Sequence, residues 1–149
     1  MLKPGIDRAD IWENWKAMRL LVSGGRHFDD AALVDIELSS IHAKTPISVM
    51  IHGGLPGLGF PAEAWARRNH VHIIRYPANF SLGKTGDSTR DLFMLADSRA
   101  DTLLVFPGGR RTEELLRQAM WHRLGVFFAP GARPQLASPI DGRQELLPA

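Results

Sequence analysis

Thr102 to Leu116 reads T-L-L-V-F-P-G-G-R-R-T-E-E-L-L, and this stretch decides the fold. Apolar and β-prone residues run up to Pro107, Gly108 and Gly109 follow, and a helical pattern then begins with acidic residues in its first turn. A buried strand, a tight turn and a helix start, in that order, make a β-to-α junction. Such a junction presents backbone N–H groups that have no acceptor within the helix, together with the positive end of a helix dipole. It is therefore a natural anion site.

The same order recurs on the N-terminal side. Arg19 to Val22 reads as a first strand, Ser23 to Arg26 (S-G-G-R) as its turn, and Asp29 or Asp30 as the cap of a helix burying Leu33, Val34, Leu38 and Ile41. Ile47 to Ile51 is a second apolar run, followed by His52, Gly53 and Gly54, a loop with Gly57 and Gly59, and a helix through Trp65 to Arg68 with Pro61 in its first position. Val71 to Tyr76 is a third strand. After an irregular loop from Pro77 to Gly86, Asp87 is expected to cap a helix with Leu92, Leu95 and Ala96 facing inward. The helix of the opening stretch is expected over Thr112 to Leu124, with Leu116, Met120 and Leu124 inward and Gly125 ending it. Val126 to Ala129 then forms a fifth strand. Strands alternating with helices predict an α/β fold of three layers, a mainly parallel sheet of about five strands covered by helices on both faces through right-handed crossovers. Residues 1–18 read as an amphipathic helical extension carrying Ile11, Trp12 and Trp15, residues 19–130 as the α/β domain, and residues 131–149 as a C-terminal extension.

Composition narrows the function. A chain of 149 residues is one domain in size, and its 14 glycines and 10 prolines imply many turns. The formal charge is only +2. The isoelectric point near 9.4 reflects the lack of groups titrating between histidine and lysine, so composition does not demand a nucleic-acid surface. With no cysteine, disulfides and thiolate chemistry are excluded. Charged residues interrupt the first twenty positions, so neither a signal peptide nor a membrane span is expected, and the cytoplasm is the expected location.

Three strands end in paired glycines: Gly24-Gly25, Gly53-Gly54 and Gly108-Gly109. In parallel sheets, ligands bind beyond the carboxyl ends of the strands near the switch in strand order, so backbone is expected to approach something closely there. Gly108, Gly109 and the amides up to Thr112 suit a phosphate, with Arg110 or Arg111 supplying a permanent charge. Surface arginines on a plain connecting turn are the alternative. Ser23, Gly24, Gly25 and Arg26 repeat the arrangement. His52 stands at the end of a buried strand, where a ligand contact and a core histidine satisfied by backbone are both open. No histidine pair has metal-ligand spacing with a carboxylate, so no metal and no resident cofactor are expected. Ala78 to Thr85 (A-N-F-S-L-G-K-T) imitates a phosphate loop, but Gly86 is read as interrupting the helix such a loop requires and no strand ends in aspartate. Lys84 is kept only as an anion contact. Gly57-Leu58-Gly59-Phe60-Pro61-Ala62 imitates a dinucleotide fingerprint, but it follows the second strand and no acidic residue ends the third.

Taken in order, L-L-V-S-G-G-R, I-H-G-G-L-P-G with E-A-W-A-R-R, G-K-T-G-D-S-T-R-D and V-F-P-G-G-R-R-T resemble the YspA-like branch of the SLOG superfamily over about residues 19–129. These are Rossmann-like domains related to the Lonely Guy phosphoribohydrolases and the DNA-processing protein A family. The resemblance implies a pocket for a nucleotide-derived ligand, such as a nucleoside phosphate, ADP-ribose or a relative. Gly24, Gly25 and Arg26 would line one side, His52, Gly53 and Gly54 the next, and Gly108, Gly109 and Thr112 the phosphate end, with Arg90 entering from the third helix. It also implies a homodimer. The chain departs from the family pattern where Gly59 replaces an aspartate, Asp91 an asparagine and Arg111 a glycine. Lonely Guy enzymes cleave an N-glycosidic bond with an arginine and a glutamate. This chain keeps Glu114, has Leu115 at the second glutamate position, and offers Arg90 at a position that does not align cleanly. The primary expectation is a nucleotide-binding sensor module that leans non-catalytic. A phosphoribohydrolase using Glu114 and Arg90, and an interaction protein with a vestigial pocket, are the alternatives. Nucleic acid and membrane partners are not expected.

Overall fold

A computed structural model of the chain describes residues 17–54, 57–77 and 86–133. Nine elements alternate: β1 (Met18–Ser23), α1 (Ala31–Lys44), β2 (Ile47–His52), α2 (Gly59–Arg68), β3 (His72–Arg75), α3 (Gly86–Asp97), β4 (Thr102–Val105), α4 (Arg110–Trp121) and β5 (Gly125–Phe128). The strands form one parallel sheet in the order β3-β2-β1-β4-β5.

Strand alternation divides the core in two. Leu20 and Val22 of β1, Met50 of β2 and Leu104 of β4 pack on Val34, Leu38 and Ile41 of α1 and on Ala62, Trp65 and Ala66 of α2. Leu21, Ile51, Leu103 and Val105 point the other way, onto Met94 and Leu95 of α3 and Leu115, Leu116 and Ala119 of α4. Consecutive residues of a strand face opposite sides of the sheet, so apolar runs are what a doubly covered parallel sheet requires. The chain walks outward from β1 through β2 to β3, then returns to the other side of β1 at β4. Crossovers of one hand then place α1 and α2 on one face and α3 and α4 on the other. The three-layer, Rossmann-like α/β fold expected from the sequence is the fold observed.

Local detail departs from the expectations in five places. Asp30 caps α1, its Oδ1 accepting from the Leu33 amide at 3.0 Å, whereas Pro61 is the third residue of α2 rather than the first. Gly86 opens α3 instead of interrupting a helix, and Asp87 is its second residue. The inward face of α3 is Arg90, Met94 and Leu95, while Leu92 is 54% exposed and Ala96 is exposed. In α4 the buried stripe is Thr112, Leu115, Leu116 and Ala119, and Met120 is 59% exposed. With 3.6 residues per turn the buried stripe spans about 100° around α4 and Leu116 stands at its edge, so Met120, about 40° further round, falls outside it, and Leu124 lies past the helix end. The stripe itself follows the i, i+3, i+4, i+7 pattern. The helix stops at Trp121, and Arg123 takes the left-handed conformation (φ 65°) that turns the chain into β5, with Gly125 already in the strand. The expected Trp12 and Trp15 helix lies outside the described residues.

Candidate functional site

A cavity of about 370 Å³ opens at the carboxyl edge of the sheet, where β1 and β4 diverge into their turns. This is the point at which the strand order reverses, the usual ligand position in such sheets, and the volume lies in the range of small-molecule sites. Of the residues singled out from sequence, Ser23, Gly24, Gly25, Arg26, Gly53, Arg90, Gly109, Arg110, Arg111 and Thr112 line it. Three glycine turns far apart in sequence thus meet at one cavity. Val22, His27, Asp91, Met94 and Leu115 complete the wall.

Close backbone approach explains two of the glycine pairs, though the partner is the protein itself. The Gly25 amide donates to the Pro107 carbonyl at 2.9 Å, and the Phe106 amide to the Ser23 carbonyl at 2.8 Å, so the turns after β1 and β4 are laced together. A Cβ on Gly25 would lie 2.9 Å from the Gly108 Cα, and one on Gly108 would lie 2.6 Å from the Gly25 nitrogen. The Gly25 amide is therefore spent on the partner turn. Gly108 supports the cavity from behind, while Gly109 lines it and has no heavy atom within 4 Å of where its Cβ would be.

Gly109 is the N-cap of α4 and, as a glycine, makes no side-chain cap bond. The first helical bond runs from the Glu113 amide to the Gly109 carbonyl at 3.0 Å, so the helix itself offers no acceptor to the amides of its first turn. These amides and the helix dipole favour negative charge beside the cavity. Thr112 is buried at this end and Ser23 at the end of β1.

Arg90 enters from α3 and is only 8% exposed. Its Nη1 donates to the carbonyl of Gly53 and, at 3.1 Å, to that of Tyr76, while its Nε donates to Asp91 Oδ1 at 2.6 Å. A Cβ at Gly53 would fall 2.5 Å from Nη1, so the guanidinium can lie against that turn only because residue 53 is glycine. The Tyr76 hydroxyl donates to Asp97 at 2.6 Å. Burial first, then this bond and the carboxylate charge, push the phenol up to about 12.

His52 does not line the cavity. It is buried, its Nδ1 accepts from the Gly54 amide at 2.9 Å, and its Nε2 lies 2.6 Å from Glu63 Oε2. An N–H donor at Nδ1's side fixes the proton on Nε2, which donates to Glu63. Burial holds this imidazole below its ordinary value of 6.5; Glu63 pulls the other way, and the charges of Arg75 and Arg90 add to the lowering. Glu63 accepts in turn from Arg75 Nε and Nη2 at 2.8 and 2.6 Å and from Arg67 Nη2 at 3.0 Å. Burial alone would raise the Glu63 carboxyl, yet the bonds from Arg75 and His52 hold it below 4.5. This network ties β2, α2 and β3 together and, through the Gly54 amide, shapes the turn on which Arg90 rests. Glu63 carries no sequence signal for this role beyond being an acidic residue among Ala62, Trp65 and Ala66, because its partners His52 and Arg75 lie on other elements.

Glu114 is exposed and outside the main cavity, bonded to Arg117 and, at 3.2 Å, to Gln118. It borders a second cavity of about 290 Å³, which shares Asp91, Arg111 and Leu115 with the first. Arg90 and Glu114 are thus placed on different cavities. Gly54 does not line the main cavity, and Lys84 lies outside the described residues. Among the described residues no group of three His, Asp or Glu side chains is placed to hold a metal ion, and no helix is long and apolar enough to cross a membrane.

No curated protein matches the chain. Residues 18–83, spanning β1 to β3 with α1 and α2, match the family model YAcAr, described as the YspA, cpYpsA-related SLOG family. That match points to a nucleotide-related binding or processing role. Together with the reversed strand order and the laced glycine turns, this match over residues 18–83 supports a YspA-like member of the SLOG family.

Proposed function

We propose that the cavity binds a nucleotide-derived ligand, a nucleoside phosphate, ADP-ribose or a relative, and that the protein acts as a sensor module. The observation that carries this reading is the charge of the wall: among the described residues, Arg26, Arg90, Arg110 and Arg111 stand against the single carboxylate of Asp91, beside the start of an α-helix whose N-cap is a glycine. Guanidinium forks and helix-start amides together are what phosphate recognition uses. The test is thermal unfolding with AMP, ADP-ribose and inorganic pyrophosphate. Ligand at a hundred times its Kd stabilises by about 2.7 kcal/mol, which raises Tm by roughly 5–10 °C in a domain of this size. No shift with any of the three refutes the reading.

Hydrolysis of an N-glycosidic bond is the weaker reading, because Glu114 is held on the neighbouring cavity by Arg117 and Gln118. Free base released from AMP, and its loss in Glu114→Ala, would restore it. A homodimer belongs to the same proposal. Exposed Leu92 and Phe93 on α3 and Met120 and Trp121 on α4 supply apolar surface of the kind interfaces use, and sedimentation of the protein and of Trp121→Glu tests it. A cytoplasmic location is proposed on the absence of cysteine.

A further inference from the structure

Asp91 is the one carboxylate among the described residues that line the arginine-rich cavity, and it sits between two of the guanidiniums. Its Oδ1 takes the Arg90 Nε hydrogen bond at 2.6 Å, and its Oδ2 faces Arg111 Nη2 at 3.5 Å. The two bridges differ in kind. Arg90 and Asp91 are nearly buried neighbours on α3, with side chains 7% and 15% exposed, so that contact is short and fixed. Arg111 comes from another helix, is 40% exposed, and meets Asp91 at the outer limit of a hydrogen bond. A long, partly solvated pair of this type is weak and exchangeable. There is also room for exchange, because Asp91 and Arg111 stand on the wall between the two cavities and open space lies on either side of them.

We infer that Asp91 is an internal counter-ion that competes with the ligand's anion for Arg111, so that binding exchanges the Arg111–Asp91 bridge for an Arg111–ligand bridge. The inference rests on the proposed binding of a phosphate-bearing ligand in this cavity. Its consequence is a site set to bind more weakly than its arginines alone would allow. A carboxylate a few ångströms from the bound anion opposes it directly, and the bridge must be given up before Arg111 can turn to the ligand. A weakened site follows changes in ligand concentration instead of remaining filled, which is what a sensor requires.

The test is calorimetric titration of the intact chain with inorganic pyrophosphate and with AMP, comparing wild type, Asp91→Asn, Arg111→Gln and the double variant. Asn keeps a carbonyl oxygen for Arg90 Nε while removing the charge, and Asp91→Ser serves as a second variant should Asn fold poorly. Asp91→Asn is expected to bind both probes about tenfold more tightly, and most of that gain is expected to vanish in the Arg111→Gln background, the signature of coupling between the two residues. Equal or weaker binding by both Asp91 variants, with wild type still binding, overturns the inference and leaves the binding reading intact. A gain that persists in full without Arg111 overturns it too. Binding by none of the proteins overturns both.

Discussion

Replacing Gly108 by alanine isolates the lacing of the two turns from any role in ligand contact. The new methyl carbon would sit 2.6 Å from the Gly25 nitrogen and 2.8 Å from Thr112 Cβ, and closer still to Thr112 Oγ1. The first of these neighbours is backbone, held by the 2.9 Å bond from Gly25 to Pro107, so it cannot swing aside as a side-chain tip would. Overpacking of this kind costs about 1–3 kcal/mol, and the reduced freedom of the unfolded chain returns about 0.4–1 kcal/mol. The net expected loss is about 1.3 kcal/mol, or a Tm lower by roughly 3–5 °C in a domain of this length. Gly109→Ala is the control one residue away. Nothing lies within 4 Å of its Cβ position, and the small loss of N-cap preference is offset by the same unfolded-state gain, so a Tm within about 2 °C of wild type is expected. Urea and thermal unfolding of both variants decide the matter. If Gly108→Ala unfolds at the same temperature as Gly109→Ala, the turns are not locked as described and the account of paired glycines as mutual backbone contacts fails.

The pH dependence of stability follows from the His52–Glu63 network. Both groups have folded pKa values below their unfolded ones, so the unfolded chain binds protons first and stability falls on acidification, beginning as pH drops through about 6.5 for His52 and continuing below 4.5 for Glu63. Urea midpoints measured from pH 7.5 to 5 should decline, and in His52→Asn the slope over that window should flatten; an unchanged slope would remove His52 as its source. Truncating Glu63 strands the His52 Nε2–H in the core and leaves half-exposed Arg75 and Arg67 to water, so Glu63→Ala should cost about 2–3 kcal/mol in denaturant unfolding. Gly53→Ala drives a methyl group into the Arg90 guanidinium, and its AMP affinity should fall by about tenfold through displacement of one charged hydrogen-bonding group; wild-type affinity would mean that Arg90 does not need its seat on that turn to serve the cavity.

Much of the architecture was legible in the sequence because it rests on local patterns. Apolar runs at Leu20–Val22, Met50–Ile51 and Leu103–Phe106, each followed by glycines and then a helical period, lead directly to a doubly covered parallel sheet. The inward Val34, Leu38 and Ile41 followed from spacing alone, which narrowed the cap to Asp29 or Asp30, and the structure selects Asp30. Helix faces on the far side were less readable, since Leu92 and Met120 are apolar residues that the fold leaves exposed while Arg90 and Thr112 are polar residues that it buries. Local periodicity carries no information on which polar side chain will find a partner from another element.

The sequence by itself determined that three glycine turns would gather at the carboxyl edge of one sheet with arginines among them, because strand-turn-helix units with right-handed crossovers leave no other place for them. Only the tertiary structure decided what each group does there. It spends the Gly25 amide on Pro107, turns His52 inward to Glu63, sets Glu114 on a separate cavity, and brings Asp91 between Arg90 and Arg111. Hydrogen bonds and ion pairs between residues tens of positions apart depend on how helices dock across the sheet, and that docking is settled by packing of the whole core rather than by any segment of it.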